Sequence, residues 1–132
     1  MKTIYFLFIS LLITTAVSAQ QHKIVWDLNI KDTSAQTALF RQIGNVLKQS
    51  PDTKIEVVYH GGAIYGLVQG SSFFNDKVQE FLKKGVIFAA CNNSLNRYGL
   101  DPKTVLPGVV VVPVAILELM KKQEEGWSYI KM

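Results

Sequence analysis

The sequence predicts a three-layer α/β/α domain with a mainly parallel sheet of about five strands. Predicted strands and helices alternate along the chain in the order β-α-β-α-β-α-β-α-β, which is typical of domains built from parallel βαβ units. Two of the strands, over 86–90 and 109–112, are wholly apolar, as strands buried on both faces of a parallel sheet usually are. No linker, repeat or low-complexity segment interrupts this alternation.

Residues 1–19 are predicted to be a secretory signal peptide. Lys2 supplies a positive charge, residues 4–13 are almost wholly apolar, and residues 17–19 (Val-Ser-Ala) form a small-residue cleavage site. The apolar core is shorter than the roughly 20 residues of a membrane-spanning helix. No cysteine follows the cleavage site directly, which argues against a lipid anchor. We therefore expect one folded domain over 20–132, periplasmic or secreted, with no membrane attachment after cleavage.

The first predicted strand and helix lie between residue 23 and Pro51. Apolar residues at 24–26 and 28 predict a strand over 23–29. Asp32, Thr33 and Ser34 then provide a helix cap, and Thr33 with Gln36 fits a capping box. The helix should end before Pro51. Its apolar stripe consists of Ala35, Leu39, Ile43, Val46 and Leu47.

The middle of the chain predicts a second strand over 54–60, closed by two glycines. A short helical segment over 63–68 follows. The next helix should be capped by Ser71 or Ser72 and should end at Gly85.

The last third of the chain is expected to contain the two apolar strands and two more helices. A short helix after the strand over 86–90 should end near Gly99. The strand over 109–112 is predicted to be short and central. Pro113 suits the first turn of a helix continuing over 114–125, and a last strand is predicted over 127–131.

The only cysteine, Cys91, is placed where a buried strand meets a helix N-terminus. Asn92, Asn93 and Ser94 follow it and are helix-cap residues. The unpaired N–H groups and positive dipole end of that helix favour a thiolate, so we expect an accessible, reactive thiol. A single cysteine cannot form an internal disulfide. The alternative is a structural cysteine, because free cysteines are among the most buried residues.

A second candidate element, His60-Gly61-Gly62, ends the second strand. Ligands gather at the carboxyl ends of parallel strands, where Cys91, Asn92 and Asn93 also lie. His60 is therefore a candidate to orient or deprotonate the Cys91 thiol, or else a hydrogen-bonded surface residue. Gly61 and Gly62 are candidates for anion binding, or else form a tight turn. Walker-type phosphate binding is excluded, because the required lysine is missing.

The composition argues against nucleic acid, metal and cofactor binding. The formal net charge is only +4, and the basic residues are scattered apart from the doublets 83–84 and 121–122, each late in a predicted helix. His22, His60 and Cys91 lack the spacing of metal ligands. Flavin binding rests on fold analogy alone, so no cofactor is expected.

Large apolar residues predict self-association. A small sheet sandwiched by helices has no room at its centre for all of them, and a leftover apolar patch usually marks an interface. Phe73 and Phe74, with Phe81, suit a core or a subunit contact better than a cofactor pocket. The residues that make up this prediction are Trp26, Phe73, Phe74, Trp127 and Tyr129.

Several motifs resemble the DsrE/DsrF-like family and together cover most of the chain. They are Val58-Tyr59-His60-Gly61-Gly62, Gly85-Val86-x-Phe88-x-x-Cys91-x-Asn93-x-Leu95, Leu106-Pro107-Gly108-Val109-x-Val111-Val112-Pro113, Glu118-Leu119 and Gln123-Glu124-x-Gly126-Trp127-x-Tyr129-Ile130. The resemblance implies a small α/β domain that forms homo- or hetero-oligomers, often trimers or hexamers. In sulfur-relay members, the cysteine matching Cys91 carries sulfane sulfur as a persulfide.

The resemblance therefore implies a thiol-based sulfur carrier or transferase, and the predicted signal peptide implies that it is exported. Cys91 would be the nucleophile, His60 a helper, and a sulfur donor or acceptor protein the partner. Relay members act in the cytoplasm, in sulfur oxidation or transfer-RNA thiolation, so the expected export of this chain separates it from those pathways. The alternative is a non-catalytic, oligomeric binding domain in which Cys91 is structural.

Overall fold

The computed structural model describes residues 21–132, which form a parallel sheet with helices on both faces. The sheet order is β4-β3-β2-β1-β5, and all neighbouring strands are parallel. The predicted fold class is confirmed. The strands are β1 (Lys23–Leu28), β2 (Lys54–Tyr59), β3 (Ile87–Cys91), β4 (Val110–Val112) and β5 (Ser128–Lys131). The helices are α1 (Thr33–Gln49), α2 (Asn75–Lys83), α3 (Asn92–Arg97) and α4 (Ala115–Glu124), with 3₁₀ helices at Gly61–Leu67 and Pro102–Thr104.

The predicted signal peptide, residues 1–19, lies outside the described residues. None of the helices over residues 21–132 has the combination of length and hydropathy that a membrane span requires.

The two faces of the sheet are covered unequally. The main core lies on one face, where α1, α2 and α3 pack against the strands through residues such as Phe40, Phe81 and Leu95. On the opposite face, α4 is the one described helix that packs against the sheet, through Ala115 and Leu119. We call this second surface the α4 face. Because strand residues alternate between faces, every second residue of each strand belongs to it.

Helix α1 begins at the predicted cap segment, but without the predicted capping box. Asp32 is the N-cap, and its Oδ1 accepts a hydrogen bond from Ser34 N at 2.8 Å. The capping box of Thr33 and Gln36 is wrong, because Gln36 is 2% exposed and its Nε2 points to Lys31 O. The Asp32 carboxylate already satisfies the first turn, and Gln36 lies on the buried stripe of the helix.

Strand β4 is an edge strand, so its predicted central position is wrong. It has three residues, and Val110 and Val111 are 45% and 39% exposed. Short edge strands offer few unpaired backbone groups to other chains. Apolar composition predicted the strand but not its place in the strand order. The helix after it begins at Ala115, so Pro113 precedes the first turn instead of lying in it.

Candidate functional site

Cys91 is the last residue of β3, and it is buried, with 3% of its surface exposed. Its Sγ accepts a hydrogen bond from Ala115 N, the first residue of α4, at 3.3 Å. The sequence predicted that the N–H donor would come from the helix directly after Cys91. In the structure it comes from α4 instead, because β4 returns the chain beside β3. The expectation of an accessible thiol is therefore wrong for the isolated chain.

The start of α3 is linked to the turn that begins α4. Asn93 N donates to Pro113 O at 3.2 Å, which ties the residues after Cys91 to those before Ala115. The Asn93 side chain is exposed, and Asn92 is half-buried. Asn92 and Asn93 follow Cys91 directly in the sequence. The hydrogen bond that joins this segment to the turn before α4 is made by the backbone N–H of Asn93.

His60 lies beside Cys91 at the carboxyl edge of the sheet. The strands β2 and β3 pair Tyr59 with Ala90, and both chains continue in extended conformation for one more residue. Neighbouring strands are about 4.8 Å apart, so His60 and Cys91 occupy adjacent strand ends on the α4 face. However, the one side-chain hydrogen bond of His60 within residues 21–132 joins its Nε2 to Asp27 Oδ1, at 2.6 Å.

Asp27 is a buried carboxylate that was missed in the sequence. It is 3% exposed, and its Oδ2 accepts hydrogen bonds from Tyr129 Oη at 2.6 Å and Lys131 Nζ at 3.4 Å. Burial alone would raise the pKa of Asp27, but the hydrogen bonds from Tyr129 and His60 and the charges of His60 and Lys131 outweigh it, so the pKa is lowered. The bond to Asp27 raises the pKa of Tyr129 to about 12.

A signal for Asp27 exists in the sequence. It is the one charged side chain inside the apolar run 24–28, near the end of a strand whose neighbours are buried. A charged side chain buried within a sheet is normally paired with an opposite charge or hydrogen-bonded. Its partners Tyr129 and Lys131 are 102 and 104 residues away, which no local pattern shows.

Gly61 and Gly62 form a close contact with the loop after β1. Gly61 has a φ of +52°, and a Cβ there would lie 2.9 Å from Asn29 O. A Cβ on Gly62 would lie 3.2 Å from Lys31 Cβ. Gly61 N donates to the Oγ of Ser94, which is buried in the helix after Cys91, at 3.0 Å. These contacts favour the tight-turn explanation over anion binding.

The described residues contain no group of three or more histidine, cysteine or acidic side chains arranged to hold a metal ion. A surface cavity of about 510 Å³ lies elsewhere, beside Gln69, Ser72 and Gln79, and includes none of the predicted site residues. The chemistry available at the carboxyl edge is therefore that of a thiol, an imidazole and a carboxylate.

The sequence profile of the DsrE/DsrF-like family matches residues 10–132, most of the chain. The chain belongs to the DsrE/DsrF-like family. The resemblance seen in its motifs is thereby confirmed. No protein of curated function matches it significantly.

Solved structures similar to this DsrE/DsrF-like chain agree with its fold. The protein of unknown function MTH1491 from Methanobacterium thermoautotrophicum has 29% identity and a TM-score of 0.81, covering 85% of this chain and 100% of its own. The conserved protein of unknown function BT1422 from Bacteroides thetaiotaomicron has 15% identity and a TM-score of 0.66, covering 83% and 94%. The ychN protein from E. coli has 10% identity and a TM-score of 0.71, covering 85% and 99%. The last two show the fold alone.

Proposed function

We propose that this protein is a sulfur carrier in which Cys91 holds sulfane sulfur as a persulfide. The observation that carries the proposal is the hydrogen bond from Ala115 N, at the start of α4, to Cys91 Sγ at 3.3 Å. A helix N-terminus stabilises negative charge, and both a thiolate and a persulfide are anionic sulfur. Membership of a sulfur-relay-like family supports the same chemistry.

The transfer needs no cofactor or external oxidant. The Cys91 thiolate attacks the terminal sulfane sulfur of a polysulfide, and a new S–S bond forms at Sγ. The S–S bond within the donor breaks, and its electron pair leaves on the shortened polysulfide. An acceptor thiolate can later attack the outer sulfur of the Cys91 persulfide and release Cys91 as a thiolate.

Incubation with inorganic polysulfide is expected to add the mass of one sulfur atom to the protein, and a reductant should remove it. The matched control is Cys91→Ser, because serine keeps an acceptor for Ala115 N but has no sulfur. Intact-mass spectrometry checks the result. An unmodified wild-type protein would contradict the proposal, as would equal uptake by the serine variant.

Burial of Cys91 favours a second candidate function, a non-catalytic binding domain with a structural cysteine. The two candidates differ in reactivity. As a carrier, the folded protein should react with the small reagent iodoacetamide faster as pH rises, and much more slowly with a bulky maleimide. A thiol inert to both reagents until denaturant is added would support the structural role. The alkylation rate against pH decides between them.

We also propose that copies of the chain associate through the α4 face. Ile116, Leu117 and Met120 of α4 are 62%, 55% and 48% exposed, and Val110 and Ile87 on the same face are 45% and 38% exposed. Apolar residues so grouped usually mark an interface, and a second copy brings the same apolar surface to the contact. This patch differs from the apolar patch predicted from the sequence, which included Trp26.

Three residues of the predicted patch behave differently from one another. Trp26 is 2% exposed in the main core, Phe74 packs partly buried against that core, and Phe73 is 86% exposed away from α4.

Light scattering of the wild-type protein is expected to give an oligomer at micromolar concentration, and Leu117→Asp should give a smaller species. Phe73→Asp is the matched control and should leave the oligomer unchanged. A monomeric wild-type protein would contradict this proposal.

We further propose that the protein is exported and cleaved after Ala19, as its N-terminal pattern predicts. Mass analysis of the protein from its native host should find a chain beginning at Gln20. A retained Met1 would show that no signal peptide is removed.

A further inference from the structure

A thiol, an imidazole and a carboxylate lie on the ends of three adjacent strands. Cys91 ends β3, and His60 directly follows β2, one residue beyond the pair Tyr59–Ala90. Asp27 of β1 pairs with Val58, so it shares the α4 face with both. The order nucleophile, base and orienting group is that of cysteine–histidine catalytic sites. The proposed function gives a role to Cys91 and none to His60 or Asp27.

The hydrogen bonds of Asp27 determine which nitrogen of His60 carries the proton. Tyr129 Oη and Lys131 Nζ both donate to Asp27 Oδ2. These donors keep the carboxylate ionised, and an ionised carboxylate only accepts hydrogen bonds. His60 Nε2, 2.6 Å from Oδ1, must therefore donate. A neutral imidazole with a proton on Nε2 has an unprotonated Nδ1.

We propose that Asp27 is a positioning residue that fixes His60 in the Nε2–H tautomer, so that Nδ1 accepts the proton of the Cys91 thiol. This inference rests on the proposed function. The transfer is direct or passes through one water, since His60 and Cys91 occupy adjacent strand ends. Within residues 21–132, no side-chain hydrogen bond engages Nδ1 of His60, so this nitrogen is free for the task.

The step balances without any further reagent. The thiol proton moves to Nδ1, and its electron pair stays on Cys91 Sγ. The sulfur attacks the terminal sulfane sulfur of a polysulfide, whose S–S electron pair leaves on the shortened polysulfide. His60 then returns the proton to that leaving group, and Asp27 stays ionised throughout.

Asp27→Asn tests the inference through the tautomer. The amide oxygen of asparagine is needed to accept from Tyr129 and Lys131, so its NH₂ group faces His60 and donates to Nε2. His60 then carries its proton on Nδ1, where it cannot accept another. We expect polysulfide uptake at neutral pH to slow by about 100-fold, as after loss of general-base catalysis. At alkaline pH, where the thiol ionises unaided, the two rates should converge.

The matched control is Asp76→Asn, the same substitution at an exposed carboxylate in the first turn of α2. It leaves Asp27 and its partners in place, so His60 should keep its tautomer and the uptake rate should change little. The ¹⁵N shifts of the His60 ring, measured by NMR, report the tautomer in each protein. Wild-type uptake at neutral pH in Asp27→Asn would overturn the inference, as would rates that stay apart at alkaline pH.

The NMR measurement on the wild-type protein tests the inference independently of the variant. An Nδ1–H tautomer in the wild-type protein would overturn the inference even if Asp27→Asn does not fold. If the wild-type protein takes up no sulfur, the proposed function fails and this catalytic role fails with it. If the wild-type protein takes up sulfur but Asp27→Asn does so equally, the inference alone fails.

Discussion

Replacing Lys122 with alanine is expected to destabilise the domain by about 3 to 5 kcal/mol, because it leaves a buried carboxylate unpaired. Lys122 Nζ lies 2.9 Å from Oε2 of Glu56, whose side chain is 3% exposed beneath α4. The Nζ also lies 4.7 Å from the centre of the Trp127 ring. The pair therefore fastens α4 to β2. Urea unfolding of wild-type and variant proteins measures the loss.

Two controls separate this effect from simple loss of a surface charge. Lys84→Ala removes an ion pair with Glu80 that is shorter, at 2.6 Å, but exposed, and it should change stability little. The double variant Glu56→Leu/Lys122→Leu removes both buried charges and should recover most of the lost stability. A small effect of Lys122→Ala alone would mean that Glu56 is not held by this pair.

The loss in Lys122→Ala should grow with pH. Burial raises the pKa of Glu56, although Lys122 opposes it. A group with a raised pKa in the folded protein costs stability as pH rises above its ordinary value, because the unfolded chain releases the proton more easily. Removing Lys122 raises this pKa further. The difference in unfolding free energy should thus be larger at about pH 8 than at about pH 4.

Gly61→Ala is expected to cost about 2 to 4 kcal/mol. An alanine at φ +52° is strained, and its Cβ would lie 2.9 Å from Asn29 O, a backbone atom that cannot move alone. Gly70→Ala is the matched control. Gly70 has a φ of +79° and open space around its Cβ position, so it reports the conformational strain alone, about 1 to 2 kcal/mol.

The difference between the two glycine variants measures how closely the loop after β1 packs on the turn after β2. Chemical unfolding provides both free energies. Equal losses would mean that Asn29 moves away at no cost. A larger loss in Gly61→Ala would mean that the close contact with Asn29 adds to the strain. Movement of the turn to relieve that contact would also disturb the hydrogen bond from Gly61 N to Ser94 Oγ, which links this turn to α3.

The order and type of the elements could be predicted from the sequence because the signals for them are local. Apolar runs such as 86–90 and turn residues such as Gly85 lie next to the structures that they specify. The errors arose where distant elements decide the outcome. The valines of β4 predicted a strand correctly, but its edge position depends on how the other strands pair.

The positions of the candidate site residues were predicted in part. Cys91 and His60 do lie on adjacent strand ends, since the carboxyl ends of parallel strands share one edge. The donor to Cys91 and the partner of His60 could not be read from local sequence. Ala115 and Asp27 reach these residues from elements 24 and 33 positions away in the chain. Burial of the thiol likewise depends on α4, which the local pattern around Cys91 does not include.

The position of β5 has a consequence for how the chain is made. In the finished sheet β1 lies between β2 and β5, yet β5 is the last strand along the sequence. Until Ser128–Lys131 leave the ribosome, β1 is an open edge with unpaired N–H and C=O groups, a template on which another chain can pair. A nascent chain therefore presents the edge of β1 to other chains until the four residues of β5 pair with it.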